Sequence, residues 1–242
     1  MFPVFAGAIL SSIIVSFALY HGKAEVSSFA NPEGLIVVFG GTLAVLITTS
    51  NLGEIKKFAM LFKRLLFKTS SQRKLKEKLL ETAKMIEKGL VPKPTGIVFL
   101  DRALDWYTAG VKGEQLERLL LDGAKIEIEL IYHSTQLFSN LSKYPPALGM
   151  VGTVIGIIGI FGGLGTADGQ RTIGAHLAVA MSATLYGLIL ANFVISPISE
   201  LLQQAAQLEE VELNMIVDTI LMLSDRESSF FIQEKIGLYD AA

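Results

Sequence analysis

The sequence predicts an all-α membrane protein: four transmembrane helices, a large helical cytoplasmic loop and a cytoplasmic C-terminal tail. Three observations carry that expectation. Four stretches, residues 3–20, 34–52, 145–167 and 173–199, contain no Asp, Glu, Lys or Arg, and a helix crossing a bilayer core of roughly 30 Å needs about 20 mostly apolar residues. The net charge of -2 hides a strong segregation, because most of the 21 Lys and Arg fall between Lys56 and Lys143. The links within each pair of apolar stretches, residues 21–33 and 166–172, are short enough to demand antiparallel hairpins.

The first stretch begins almost at Met1, has no basic leader and lacks a small-x-small cleavage pattern, so a retained span is expected rather than a cleaved signal. Asn31-Pro32-Glu33-Gly34 reads as a turn before the second span. Orientation follows from the basic residues beside the spans. Lys56, Lys57, Lys63, Arg64 and Lys68 follow span two and Lys143 precedes span three, whereas each short link carries one, Lys23 or Arg171. Both termini and the large loop are therefore expected inside. The division is residues 1–52 for spans one and two, 53–144 for a cytoplasmic helical domain, 145–199 for spans three and four, and 200–242 for a cytoplasmic C-terminal helix and tail.

Within the loop, residues 54–68 place Ile55, Phe58, Phe62 and Leu65 on one stripe with the cations off it. Such a helix fits the lipid headgroup layer or the surface of the cytoplasmic domain equally well. Residues 75–90 read as a helix stopped at Gly89, with Pro92 and Pro94 beyond. Residues 95–109 and 113–124 suggest two short helices, 125–144 a longer one running into span three, and 199–223 a polar continuation of span four. No cysteine is present, which excludes disulfides and thiolate metal sites. No P-loop, nucleophile–base set or metal-ligand cluster is visible, and three scattered histidines do not make one, so neither an enzyme nor a cofactor is expected. Nothing points to nucleic acid.

Spans three and four are the informative pair. Gly149, Gly152, Gly156, Gly159 and Gly163 recur at intervals of 3, 4, 3 and 4, which lines all five along one helix face. A glycine face lets another helix approach closely, at a cost of about 1 kcal/mol of helix propensity per glycine in water. Thr153 and Thr184 either bond back to their own helix carbonyls or offer oxygens to an ion or water path. Pro146 opens span three; Pro197 lies where the chain should stay helical, so it should free a carbonyl near Phe193 and bend the helix. No acid falls within the four apolar stretches, although a proton or sodium carrier needs an intramembrane carboxylate or its equivalent. If ions flow here, a partner must bring that group.

The residues from Phe29 to Leu43, Phe-Ala-Asn-Pro-Glu-Gly-Leu-Ile-Val-Val-Phe-Gly-Gly-Thr-Leu, resemble the start of span two in the MotA and PomA flagellar stator subunits. Pro146-Ala-Leu-Gly-Met-Val-Gly-Thr-Val-Ile-Gly resembles their third span, and Ala183-Thr-Leu-Tyr-Gly-Leu-Ile-Leu-Ala-Asn with Ile195-Ser-Pro their fourth. The span-three and span-four patterns belong to the wider MotA, TolQ and ExbB group; four spans favour MotA. The resemblance implies a homopentamer in the bacterial inner membrane, around a MotB-like single-span partner whose aspartate carries the coupling ion, H+ or Na+. It implies that Thr153 and Thr184 lie near that aspartate, that Pro146 and Pro197 couple ion flow to movement, and that a rotor protein of the FliG type is driven. Lys84, Glu87 and Lys88 are candidate rotor contacts, against the plainer reading of a solvated helix face. Two departures stand out: Val91-Pro-Lys-Pro has no acid where the family carries Glu, and Glu227-Ser-Ser-Phe replaces its Asn-Pro-Arg. The alternatives are an energiser of a TolQ- or ExbB-like envelope machine and a passive membrane scaffold.

Overall fold

A computed structural model describes residues 30–50, 72–165 and 169–239, with a few single positions between 13 and 63. Every regular element among the described residues is helical. The expected first span and the amphipathic stretch 54–68 lie outside the described residues, apart from those single positions. Three of the described helices are long and apolar enough to cross a membrane: Pro32–Thr49, Glu114–Gly163 and Gly169–Ser224.

We number the helices α1 Pro32–Thr49, α2 Gln72–Glu87, α3 Val98–Thr108, α4 Glu114–Leu141, α5 Tyr144–Gly163, α6 Gly169–Ile189, α7 Ser196–Ser224 and α8 Ser229–Leu238. Two wide π-helical turns interrupt the regular winding, Ile36–Gly40 within α1 and Leu190–Ile195 between α6 and α7.

The chain divides into two compact units. The first comprises residues 1–62 and 134–203 and holds α1, α5 and α6. Its interior is made by small residues: α5 and α6 pack along their full length, and α1 lies against both. The second comprises residues 63–133 and 204–242. Its core is leucine-rich: Leu75 and Leu79 from α2, Leu100 from α3, Leu116 and Leu120 from α4, Met215, Ile216 and Ile220 from α7, and Ile232 from α8, each almost fully buried. Spacings of four within α2 and α4 put these side chains on one face, so each helix buries a stripe and leaves its charges in solvent.

The helix ends follow local chemistry. At the end of α2, Gly89 takes φ 72°; its N–H donates to the Ile86 carbonyl at 2.9 Å and the Leu90 N–H to the Met85 carbonyl at 2.9 Å. These are the two bonds of a Schellman cap, which needs a residue free to adopt the left-handed conformation. The helix expected at 95–109 starts at Val98 instead. Asp101 reaches back to hold the preceding loop, accepting from the Thr95 amide at 2.6 Å, the Thr95 hydroxyl at 2.7 Å and the Gly96 amide at 3.0 Å. Lys78 donates to the Thr95 carbonyl from the other side.

Two expectations need correction. Residues 113–124 and 125–144 do not form separate helices; α4 runs unbroken past Gly123. A Cβ there would lie 3.2 Å from the rings of Phe99 and Trp106, so this glycine serves close packing rather than a break. As expected, the helix runs on into span three: Glu114–Gly163 is one helical path, tightened at the junction, where the Ser142 and Lys143 N–H groups bond the carbonyls three residues back and Pro145 and Pro146, which lack amide donors, follow in the first turn of α5. The stretch after residue 224, read only as tail, folds into α8, with Ser228 Oγ accepting from the Phe231 N–H at 3.3 Å.

Candidate functional site: the α5–α6 hairpin

The glycine face of α5 is pressed onto α6. A Cβ on Gly149 would sit 3.0 Å from the Ala183 carbonyl oxygen and the Thr184 Cα; one on Gly152 would overlap the Ala183 methyl; one on Gly156 would meet the His176 carbonyl at 2.6 Å. Farther along, Gly159 lies under the His176 imidazole, and a Cβ on Gly163 would lie 3.3 Å from the Gly169 Cα. On the α6 side Gly187 rests against the Pro145 carbonyl and the Pro146 Cα. Backbones this close exclude both water and lipid tails from the seam. Dispersion and weak C–H···O bonds to the facing carbonyls offset the propensity cost of the glycines.

Thr153 and Thr184 meet at that seam. Each hydroxyl reaches the carbonyl four residues back on its own helix and the matching carbonyl across the seam. Thr153 Oγ1 lies 3.1 Å from both the Gly149 and Ala180 oxygens, and Thr184 Oγ1 lies 3.3 Å from the Ala180 oxygen and 3.4 Å from the Gly149 oxygen. The two hydroxyls also bond to each other. Local back-bonding and a shared polar cluster therefore coexist. Four oxygens converge with two hydroxyl protons between them, leaving an excess of lone pairs. Such a cluster suits a hard monovalent cation or a water, and both threonines remain half-exposed rather than sealed.

Other polar side chains of the hairpin are satisfied locally. Ser182 Oγ donates to the Val179 carbonyl at 3.3 Å, and Asn192 Nδ2 to the Leu188 carbonyl at 3.0 Å. Ser199 differs: it is buried, and its Oγ has no hydrogen-bond partner among the described residues. Pro197 is the second residue of α7, directly after the π-helical turn Leu190–Ile195. A wide turn at this point absorbs the donor that proline lacks, so the chain continues as one helical path from Gly169 to Ser224.

The placement of Glu33 was not foreseen from the sequence. Helix α1 begins at Pro32, two residues before the apolar stretch, so Glu33 belongs to its first turn. That turn does not stand at the end of the hairpin. Gly34 packs against Ser182 and Ala183, where a Cβ would lie 3.1 Å from the serine hydroxyl and 3.2 Å from the Ala183 nitrogen. The Asn31 N–H donates to the Tyr186 hydroxyl at 2.9 Å, and Asn31 Oδ1 caps the Gly34 N–H at 3.1 Å. The signal was the Asn-Pro-Glu cap itself, which marks a helix N-terminus; its register against α6 is a tertiary fact.

In the second unit Lys84, Glu87 and Lys88 are exposed at the end of α2. The neighbouring Leu90, Val91 and Val98 are exposed apolar side chains. Tyr132 donates to Glu210 at 2.7 Å, and this bond, with burial and the carboxylate charge, pushes the phenol up. Tyr239 donates to Asp218 at 2.9 Å and is pushed up to about 12, first by burial and then by that bond. Among the described residues no three His, Asp or Glu side chains converge as a metal site.

The fold and site define a class: a helical membrane protein with an oxygen cluster inside a glycine-packed hairpin. The particular family is shown by sequence. The chain belongs to the MotA/TolQ/ExbB proton channel family, whose profile matches residues 70–215. Among its relatives, the chemotaxis protein PomA of Vibrio alginolyticus is 25% identical over 220 residues, covering 89% of this chain and 86% of that protein. Motility protein A of Bacillus subtilis is 24% identical, with coverage of 96% and 88%. The fold matches a chain of the Campylobacter jejuni MotAB structure with a TM-score of 0.84 at 16% identity, over 98% of this chain and 94% of that one. It matches the flagellar MotAB stator complex of Bacillus subtilis with a TM-score of 0.79 at 22% identity, over 96% and 92%.

Proposed function

We propose that this chain is a flagellar stator subunit of the MotA and PomA kind, which turns the flow of protons or sodium ions into torque. The observation that carries the reading is the Thr153–Thr184 oxygen cluster in a hairpin whose two helices bring no carboxylate of their own. A MotB-like single-span partner supplies the aspartate, and several copies of the chain, five by family resemblance, surround it. The chain works by conduction and movement rather than by catalysis, and it needs no cofactor beyond the coupling ion. It sits in the bacterial inner membrane with both termini and the second unit in the cytoplasm.

In this reading the threonine oxygens replace part of the ion's hydration shell as it reaches the partner's aspartate. Neutralising that carboxylate changes the electrostatics of the seam. Pro146, seated on Gly187, and Pro197, after its wide turn, are the two places where the hairpin can yield. One charge falling through 100 mV releases about 2.3 kcal/mol, enough to favour one of two closely balanced helix arrangements. Lys84, Glu87 and Lys88 meet the rotor protein. The experiment is expression with the matched partner in a stator-deleted host: swimming supports the reading, and loss of swimming with Thr153→Val supports the site. The acid-free Val91-Pro-Lys-Pro loop beside α2 favours a second reading, an energiser of a TolQ- or ExbB-like envelope machine. Good expression and ion flux without swimming would favour that alternative.

A further inference from the structure

Helix α8 is apolar on both sides. Its inner face buries Ile232 and Ile236 in the core of the second unit. Its outer face leaves Phe230, Phe231 and Leu238 exposed by 71%, 53% and 68%, with Glu234 among them and Glu227 just before the helix. A surface helix is ordinarily polar on its outer side, and one that is apolar all round is covered by something. The helix is not free to turn that face inward. Asp218 of α7 accepts from the Tyr239 hydroxyl at 2.9 Å and pairs with Lys235 at 3.2 Å, and Ser228 caps the first turn.

The turn that leads into α8 adds a second observation. Helix α7 ends in the same two-bond cap as α2: the Arg226 N–H donates to the Leu223 carbonyl at 3.2 Å and the Glu227 N–H to the Met222 carbonyl at 3.0 Å. This cap holds Arg226 at φ 60°, and among the described residues it is the only non-glycine with a positive φ. Glycine would take that conformation without strain. Strain kept at one position points to a use for the side chain that sits there. Arg226 is exposed, and it forms no ion pair among the described residues although Asp225 and Glu227 flank it.

We propose that the outer face of α8, with Arg226 before it, is a protein-docking surface whose occupant is the rotor protein. This rests on the rotor reading above. Aromatic side chains and arginine are the usual anchors of protein interfaces, so the occupant offers an apolar groove to Phe230 and Phe231 and a carboxylate to the guanidinium. Helix α8 packs on α2, sharing one core with its Leu75 and Leu79, and α2 ends in the exposed Lys84, Glu87 and Lys88. The face therefore extends the surface proposed for the rotor and adds an apolar part to it. Anionic lipid headgroups do not fit, because they repel Asp225, Glu227 and Glu234.

The test uses the full complex with its single-span partner in liposomes, titrated with the purified rotor protein. Phe230→Ser combined with Phe231→Ser is expected to weaken rotor binding about tenfold or more, with ion flux within about twofold of wild type. Arg226→Gly is expected to weaken binding about fivefold while the melting temperature stays level or rises, because the turn is relieved. Binding within about twofold of wild type in either variant overturns the proposal. A fall in melting temperature that accompanies the Arg226→Gly loss makes the arginine structural and overturns its part. Should the double variant fail to assemble, Leu238→Glu is read instead: it must weaken binding likewise, and no loss overturns the proposal. The chain has no cysteine, so Leu238→Cys takes a single polarity-sensitive label. That label is expected to report water before rotor protein is added and an apolar setting after. A label already shielded, by lipid or by a neighbouring copy, overturns the proposal. A conducting wild-type complex that binds no rotor protein contradicts the rotor reading itself, an outcome distinct from all of these.

Discussion

Thr153 and Thr184 each have one proton to give and several oxygens within reach. Valine keeps their shape and removes the oxygen. Loss of one such hydroxyl costs about 1 kcal/mol of hydrogen bonding, so the hairpin is expected to assemble in either Thr→Val variant. Ion flux with the partner should fall about tenfold or more, as removal of an ion ligand does elsewhere; co-purification alongside a flux assay checks both halves. In the second unit, Asp101 is a stability residue. Burial pushes its carboxyl up, but the Thr95 amide and hydroxyl, the Gly96 amide and the Lys78 charge outweigh burial and hold it below the ordinary 3.8. Its contribution is therefore complete above pH 3.8 and is lost as pH falls through the lowered folded value. Asp101→Ala is expected to destabilise the protein by about 1–2 kcal/mol at neutral pH, seen as a lower melting temperature whose deficit shrinks in acid. Tyr239 works in the opposite direction. Its phenol is held up at about 12, above an ordinary value of 10.0, so its stabilisation is intact below pH 10 and fades as pH rises toward 12. Tyr239→Phe should flatten that alkaline loss in a thermal melt.

At the scale of the helix, the seam between α5 and α6 tolerates no added carbon. Gly152→Val would drive its branched side chain into Ala183; overpacking of this kind costs about 1–3 kcal/mol. Reduced yield of the assembled complex measures it, whereas substitution at Gly162, with open space around it, should be silent. The glycine face was legible because intervals of 3 and 4 have one cause, the 3.6-residue turn. The two threonines were legible only as candidates: a hydroxyl four residues after a carbonyl bonds backward whatever lies opposite, and only the packed seam shows both helices sharing their acceptors. The unbroken α4 was hidden because Gly123 reads as a break until Phe99 and Trp106 are seen beside it. The seating of α1 was hidden because register between helices is set by Gly34, Val37 and Gly41 fitting their neighbours, and no periodicity within α1 records that. For Pro197 the missing donor was foreseeable, but the wide turn Leu190–Ile195 just before it was not. Pro197→Ala restores the donor and should let this segment wind as an ordinary helix. Rotation is then expected to fall while assembly and ion flux persist.

For the whole molecule, the two units have different kinds of interior. The second is a leucine-cored bundle of the sort water drives together. The first is held by glycine seams and leaves much of α5 apolar and exposed, including Met150, Val154, Ile158 and Phe161. A surface of that kind belongs in lipid or against another membrane helix, which accords with a subunit that functions only in company. On the function proposed above, the oxygen cluster conducts only when a partner brings a carboxylate to it. The direct measurement is cation flux into liposomes holding the chain alone, the chain with its single-span partner, and the chain with that partner's membrane aspartate changed to asparagine. Flux from the intact pair only is the expected result; a current of the same size from the chain alone would contradict the account.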